Sequence, residues 1–200
     1  MAKIKLTKNE LKKQKDALKM FSRYLPTLQL KKQQLQAEIR KVEEREAAVR
    51  SQKESLEEDF RKWIAVFGED VGLDETLLVL EATDVGRGNI AGVDIPIFQG
   101  ASFQPVSYDL WAKPLWVDKA VVELQRLMLL DLELRVLEEQ RRLLAVELRT
   151  TTQRVNLFEK VKIPETRGNI KKISIYLGDQ QTAAVVRGKI SKRGLERAAS

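Results

Sequence analysis

Three short patterns in this 200-residue chain carry residue types that could do chemistry. Gly86-Arg87-Gly88 could open a glycine-rich phosphate loop, and Gly188-Lys189 could close one with a lysine aimed at a nucleotide phosphate. The acidic runs Glu43-Glu44 and Glu57-Glu58-Asp59 offer carboxylates to a cation. None of the three completes its site. Gly86-Arg87-Gly88 is not followed by the helix that a dinucleotide fingerprint demands, and Gly188-Lys189 lacks both the upstream glycine and the hydroxyl residue of a phosphate loop. Acidic runs of this kind are most often the solvated face of a helix. There is no histidine and no cysteine, which removes the commonest general base and metal ligand, thiol chemistry and disulfides. No catalytic residue, cofactor site or metal site is expected, so the chain is read as a non-enzyme.

What remains is charge, and it is segregated. Residues 1–32 hold ten Lys/Arg against two Asp/Glu, and residues 160–197 hold ten against three. The stretch between them is acidic, although the whole chain is +7. If the chain folds back on itself, the two basic ends lie side by side at one tip. Basic arms admit three readings: phosphate contacts to nucleic acid, a solubilising surface, or docking onto a protein of opposite charge. Few aromatics interleave the basic residues; only Phe21, Tyr24 and Tyr176 are near.

The elements that position these charges are long helices. From Val117 to about Val161 there is no glycine or proline, and Leu127, Leu130, Leu134, Leu137, Leu144, Leu148, Val155 and Phe158 recur at steps of three and four. Arg141 fills the one slot between Leu137 and Leu144. An apolar seam of this period with charges outside it is what a coiled-coil helix needs. At 1.5 Å per residue it would run roughly 68 Å, so it requires a partner helix of similar length.

The partner is the N-terminal segment. Thr7 and Glu10 read as a capping box, and Leu28, Leu35, Val42, Val49, Leu56 and Trp63 recur every seven residues. Glu46 and Lys53 occupy the same seam, weaken it locally and help to fix its register. One helix is expected from about Thr7 to Phe67, bent or broken at Pro26, where a backbone donor is missing.

Between the helices, Gly68–Pro114 holds six of the ten glycines and three of the five prolines. Leu77–Ala82 and Ile90–Phe98 are expected as short strands of a small hairpin, at the turn end of the coil or splayed to its side. The fold class expected is mainly α: a long antiparallel two-helix coiled coil with a small hairpin-containing insert. The parts run 1–67, 68–116 and 117–200. No run of 18 apolar residues and no apolar core behind the basic N-terminus point to a cytoplasmic chain without a membrane span.

Arg154-Val155-Asn156-Leu157-Phe158-Glu159, then Val161, Ile163-Pro164, Ile170 and Ile173, resemble the C-terminal signature of the D subunits of V/A-type ATPases. Asn89-Ile90-Ala91-Gly92-Val93-Asp94-Ile95-Pro96 resembles that family's central segment, and Leu6-Thr7 with Leu11 and Leu28–Leu35 its N-terminal helix. The resemblance implies a rotor stalk, similar in role to the γ subunit of F-type synthases, carrying torque from ATP turnover to ion movement. Its implied partners are the catalytic hexamer of A and B subunits, the small F subunit of the stalk, and a funnel-like subunit on the membrane ring. Nucleic acid is not among them, and no cofactor is implied.

On that reading the functional residues are contacts. Lys3, Lys5, Lys8, Lys12, Arg187, Lys189 and Lys192 are expected to form a basic tip inside the head. Val155, Phe158 and Val161 are expected to pack on the N-terminal helix, whereas Asn156 and Pro164 are harder to explain by seam packing and are the better candidates for a specific contact. The insert and acidic middle would face the F subunit or the funnel subunit. A secretion-apparatus stalk shares the hairpin design but needs no β-rich cap, and a basic-armed nucleic-acid binder would show salt-dependent retention on DNA.

Overall fold

The computed structural model describes residues 4–63, 78–104, 114 and 116–198. Helix α1 spans Lys8–Trp63, strands β1 and β2 span Leu80–Ile90 and Val93–Phe103, and helix α2 spans Trp116–Asn156. A π-helical turn, Leu157–Lys162, links α2 to helix α3, Ile163–Ala198. The expected ending of the first helix at Phe67 and the strand start at Leu77 lie outside the described residues.

Helix α1 opens as its sequence implies. The Glu10 N–H donates to Thr7 Oγ1 at 3.3 Å, and the Leu11 N–H to the Thr7 carbonyl at 3.0 Å. The Glu10 carboxylate accepts from Gln14 Nε2 at 2.8 Å rather than reaching back to the cap, so half of the capping box forms. Pro26 lies inside the helix and does not break it. A proline at an interior position costs about 3 kcal/mol in principle. Here it is exposed, so the carbonyl it leaves unpaired can take water, while Leu25 and Leu28 beside it stay half-buried.

The chain divides into two compact units, Gln33–Arg149 and Met1–Lys32 with Thr150–Ser200. In the first, α1 and α2 pair antiparallel. Glu46, Arg50 and Lys53 of α1 meet Arg141, Glu138 and Asp131 of α2, ascending on one helix and descending on the other. Their seam holds Leu35, Val42, Val49, Leu134, Leu137 and Leu144. Leu35 and Leu144 are fully buried at 0% exposure. In the second unit the same arrangement recurs. Gln14 meets Asn169, and the rings of Phe21 and Phe158 lie 5.2 Å apart.

The hairpin settles against the side of the helix pair rather than at its turn end. Ile95, 4% exposed, enters the same core as Leu35 and Leu144, with Ile90, Ala91 and Val93 packed around it. Gln140 of α2 donates from Nε2 to the Pro96 carbonyl at 2.5 Å. Both strands run on past the expected ends at Ala82 and Phe98, because Gly86, Gly88 and Gly100 are strand residues and not loop, while Ile90 closes β1 and the expected second strand begins only at Val93. A Cβ on Gly86 would fall 2.5 Å from the Gln99 side chain, and one on Gly88 would fall 2.5 Å from Ile97 Cδ1. The bare backbone of β1 makes room for side chains of β2.

Ala91 and Gly92 turn the hairpin with φ of 51° and 79°, the two positive angles a tight two-residue turn matching strand twist requires. Asn89 braces it: its Oδ1 accepts from the Gly92 N–H at 3.1 Å, and its Nδ2 donates to Asp94 Oδ1 at 2.7 Å.

Removing a seam side chain should be costly in proportion to burial. Leu144→Ala, at a fully buried site, is expected to lower unfolding stability by about 2–5 kcal/mol. Val146→Ala, 58% exposed two residues away, should change it by less than about 0.5 kcal/mol. Urea unfolding followed by circular dichroism measures both.

Candidate interaction surface

Apart from Lys5, which precedes α1, the described candidate contact residues lie on helix, so the seam decides what faces outward. Residues that hold the helices together are unavailable to partners; those at the remaining positions are presented. In the unit formed by the two ends, Leu11, Leu18, Phe21, Leu25 and Leu28 of α1 are half-buried, and Thr151, Val155, Ile163, Thr166 and Ile173 of the later helices are buried. Thr151 is 1% exposed, so the threonine run is a packed part of the seam despite its modest helix propensity.

Lys5, Lys8, Lys12, Asn156, Pro164, Arg187, Lys189 and Lys192 are all exposed, and all belong to this one unit. Lys3 lies outside the described residues. Lys5, Lys8 and Lys12 sit on the segment that runs beside α3 near Asn169. Arg187, Lys189 and Lys192 sit farther along α3, where the apolar neighbours Val185, Val186, Ile190 and Leu195 are 49–70% exposed. Among the described residues α1 does not cover those last turns. The two basic groups share a unit, but the C-terminal one continues past its fellow.

Asn156 and Pro164 bracket the π turn. Proline has no N–H, and its ring collides with the carbonyl four residues back in a regular α-helix. The turn before it is wider than an α turn: the Ile163 N–H donates to the Phe158 carbonyl, five residues back. One consequence overturns an expectation. Val155 is 4% exposed and the Phe158 ring packs on Phe21 of α1 at a tilt of 42°, but Val161 is 48% exposed. The extra residue in the turn carries the seam to Ile163, 8% exposed, instead.

The acidic middle unit presents a different surface. Its seam contains Glu46, buried at 8% exposure, which a seam of pure leucine would not tolerate. Glu46 is paired on both sides: its Oε2 lies 3.0 Å from Arg141 Nε across the seam, and its Oε1 lies 2.9 Å from Arg50 Nη2. Arg141, the charged residue in the leucine series of α2, is thus the partner of the charged residue in the series of α1. Lys53 is answered in the same way by Asp131 at 2.6 Å, and Asp131 also meets Arg135 at 3.2 Å. Arg45 and Glu133 add a further link at 2.7 Å. The hydrogen bond from Lys53 holds the Asp131 carboxyl below the usual carboxylate range, and the same bond raises Lys53.

Beside these pairs, Leu78, Leu80, Leu124, Leu127, Met128 and Leu132 line an open groove of about 400 Å³. Among the described residues no group of three acidic side chains could hold a metal, and no helix is long and apolar enough to cross a membrane.

Residues 10–193 match the model of the ATP synthase D subunit. The chain belongs to that family. It is 53% identical over 195 residues to the V-type ATP synthase D subunit of Borreliella burgdorferi, covering 98% of this chain and 96% of that one. It is 34% identical to the V-type ATP synthase D subunit of Chlamydia muridarum over 201 residues, covering 96% of each chain. That of Chlamydia trachomatis serovar L2 is 32% identical over 195 residues, again with 96% of each covered. The N-terminal, central and C-terminal stretches that carry the resemblance in sequence fall within the matched region or at its edge.

The Lys53–Asp131 pair fixes a pH dependence for this member of the D-subunit family. Asp131 is depressed, so its contribution is present above the unfolded carboxylate pKa and disappears as pH falls through the lower folded value. Lys53 is raised, so its contribution is present below the unfolded lysine pKa and disappears as pH rises through the higher folded value. With side chains 29% and 39% exposed, the pair is worth less than about 1 kcal/mol. Asp131→Asn should flatten stability against pH below about pH 4, leave Leu144 packing intact, and show both in urea titrations at pH 3 to 7.

Proposed function

We propose that this chain is the central rotor stalk of a V-type ATPase or ATP synthase, a non-catalytic subunit that carries torque between ATP turnover in the head and ion translocation in the membrane sector. The observation that carries the reading is the doubly ion-paired seam in a chain that matches the D-subunit family over residues 10–193. Torque acting on two packed helices strains both and their shared seam at once, so the pair resists twist better than either helix alone. Charged seam layers add resistance to sliding. Displacing α1 along α2 by one heptad takes Glu46 away from Arg141 and sets it against Leu134 or Leu148, a buried charge against hydrocarbon.

The partners follow from where charge lies. The basic unit, with Lys3, Lys5, Lys8, Lys12, Arg187, Lys189 and Lys192, enters the hexamer of A and B subunits, and Asn156 and Pro164 make a specific contact there. The acidic unit with its hairpin and apolar groove meets the F subunit of the stalk and the funnel subunit on the membrane ring. The chain itself is cytoplasmic and peripheral to the membrane, needs no cofactor, and binds no nucleic acid. A secretion stalk would need no β-rich cap, and the hairpin packed through Ile95 and Gln140 therefore favours the rotor reading.

Reversing Lys5, Lys8, Lys12, Arg187 and Lys189 to glutamate tests the docking. Association with the A–B head at low salt should slow by about tenfold or more, and added salt should slow the native chain toward the variant. Association rates and ATP-driven ion pumping measure it. Unchanged association and unchanged pumping would remove the basic unit from the head.

A further inference from the structure

The seam that α2 and α3 present to α1 keeps a regular beat through Thr151, Val155 and Phe158, in steps of four and three, and again through Ile163, Thr166 and Ile173, in steps of three and seven. Between the two runs lies a single step of five, Phe158 to Ile163. The hydrogen bond from the Ile163 N–H to the Phe158 carbonyl spans the same five residues. We propose that Leu157–Lys162 is a phase joint: one residue inserted into an otherwise regular seam, stored as a π turn, at which this coil yields first when twisted.

In an α-helix one extra residue rotates everything after it by roughly 100°. Ile163, Thr166 and Ile173, all at or below 8% exposure, would then swing out of the seam. The wide turn absorbs that rotation and keeps both runs against α1. Pro164 pins the joint by disfavouring the regular turn before it, and Thr166 Oγ1 donates to the Lys162 carbonyl at 2.6 Å on its C-terminal side. Phe158 against Phe21 holds the other side. The residues within the joint are less constrained: Leu157 and Val161 are 43% and 48% exposed, and the π turn buries none of its six residues. Twist can therefore be taken up there without unpacking the seam. The inference concerns the free chain and does not rest on the rotor reading.

The test is deletion of one exposed residue inside the joint, ΔVal161, against deletion of one exposed residue outside it, ΔArg167, in the full-length chain. In the native chain the amides of Lys162 and Ile163 are expected to exchange about tenfold faster than those of the adjoining turns; ΔVal161 should convert the step of five to four, keep the melting temperature within about 4 °C, and slow those two amides. ΔArg167 removes the same amount of chain but puts one run out of phase, and should melt at least about 8 °C lower. Pro164→Ala should retain the fast amides, since the inserted residue is still present. ΔVal161 that fails to fold, or melts as low as ΔArg167, overturns the proposal. So does Pro164→Ala that abolishes fast exchange, which would make the turn an effect of the proline alone.

Discussion

Everything in this molecule depends on a seam two helices wide. A compact domain surrounds each core side chain on all sides; here Leu35 or Leu144 is enclosed by one facing helix and, in the middle unit, by the hairpin. Each buried leucine or valine contributes on the order of 1.5–3 kcal/mol, and no second layer stands behind it to compensate a loss. The hairpin is thus more than an appendage. By placing Ile95 in the core with the leucines and tying Pro96 to Gln140, it thickens the seam there.

A seam made only of leucine is strong but indifferent to register, since one heptad looks like the next. The charged layers remove that indifference. Glu46 is satisfied by Arg141 and Arg50 in one alignment, and Lys53 by Asp131 in the same alignment. Such pairs add little net stability, because desolvation offsets much of the attraction, but they penalise every other register. A part that must hold two helices against sliding gains more from that penalty than from another leucine. The same logic places the exposed lysines and arginines of the basic unit outside the seam, where they face solvent and any partner of opposite charge.

Most of the fold is legible in the sequence because period is legible: the heptads of α1 and the three-four steps of α2 name nearly every seam residue. Four features are not. Arg141 and Glu46 each stand out as an intruder in its own series, yet their pairing depends on interhelical register, which no single series contains. The strands run past their apparent ends because Gly86 and Gly88 read as loop residues until Gln99 and Ile97 are seen lying over them. Pro26 reads as a bend or a break, and the single helix expected across it forms, with the proline exposed and flanked by half-buried leucines. A step of three from Phe158 puts Val161 in the seam, but it is exposed; the alternating count runs on to Lys162, Glu165 and Lys172, and the buried Ile163, Thr166 and Ile173 each fall one residue later. That shared offset is present in the sequence and is the signal that reveals the π turn.

The antiparallel pairing of early and late helix is the claim on which register and the proposed rotor role both rest. Because the chain has no cysteine, spin labels can be placed at Arg45 and Glu133 alone, positions joined across the middle unit by a 2.7 Å ion pair. Electron–electron distance measurement on the full-length chain should give one narrow, short-range peak, set by helix axes about 8–10 Å apart plus the label arms. A broad or long-range distribution would show that the helices do not pair as described, and the account would fail with them.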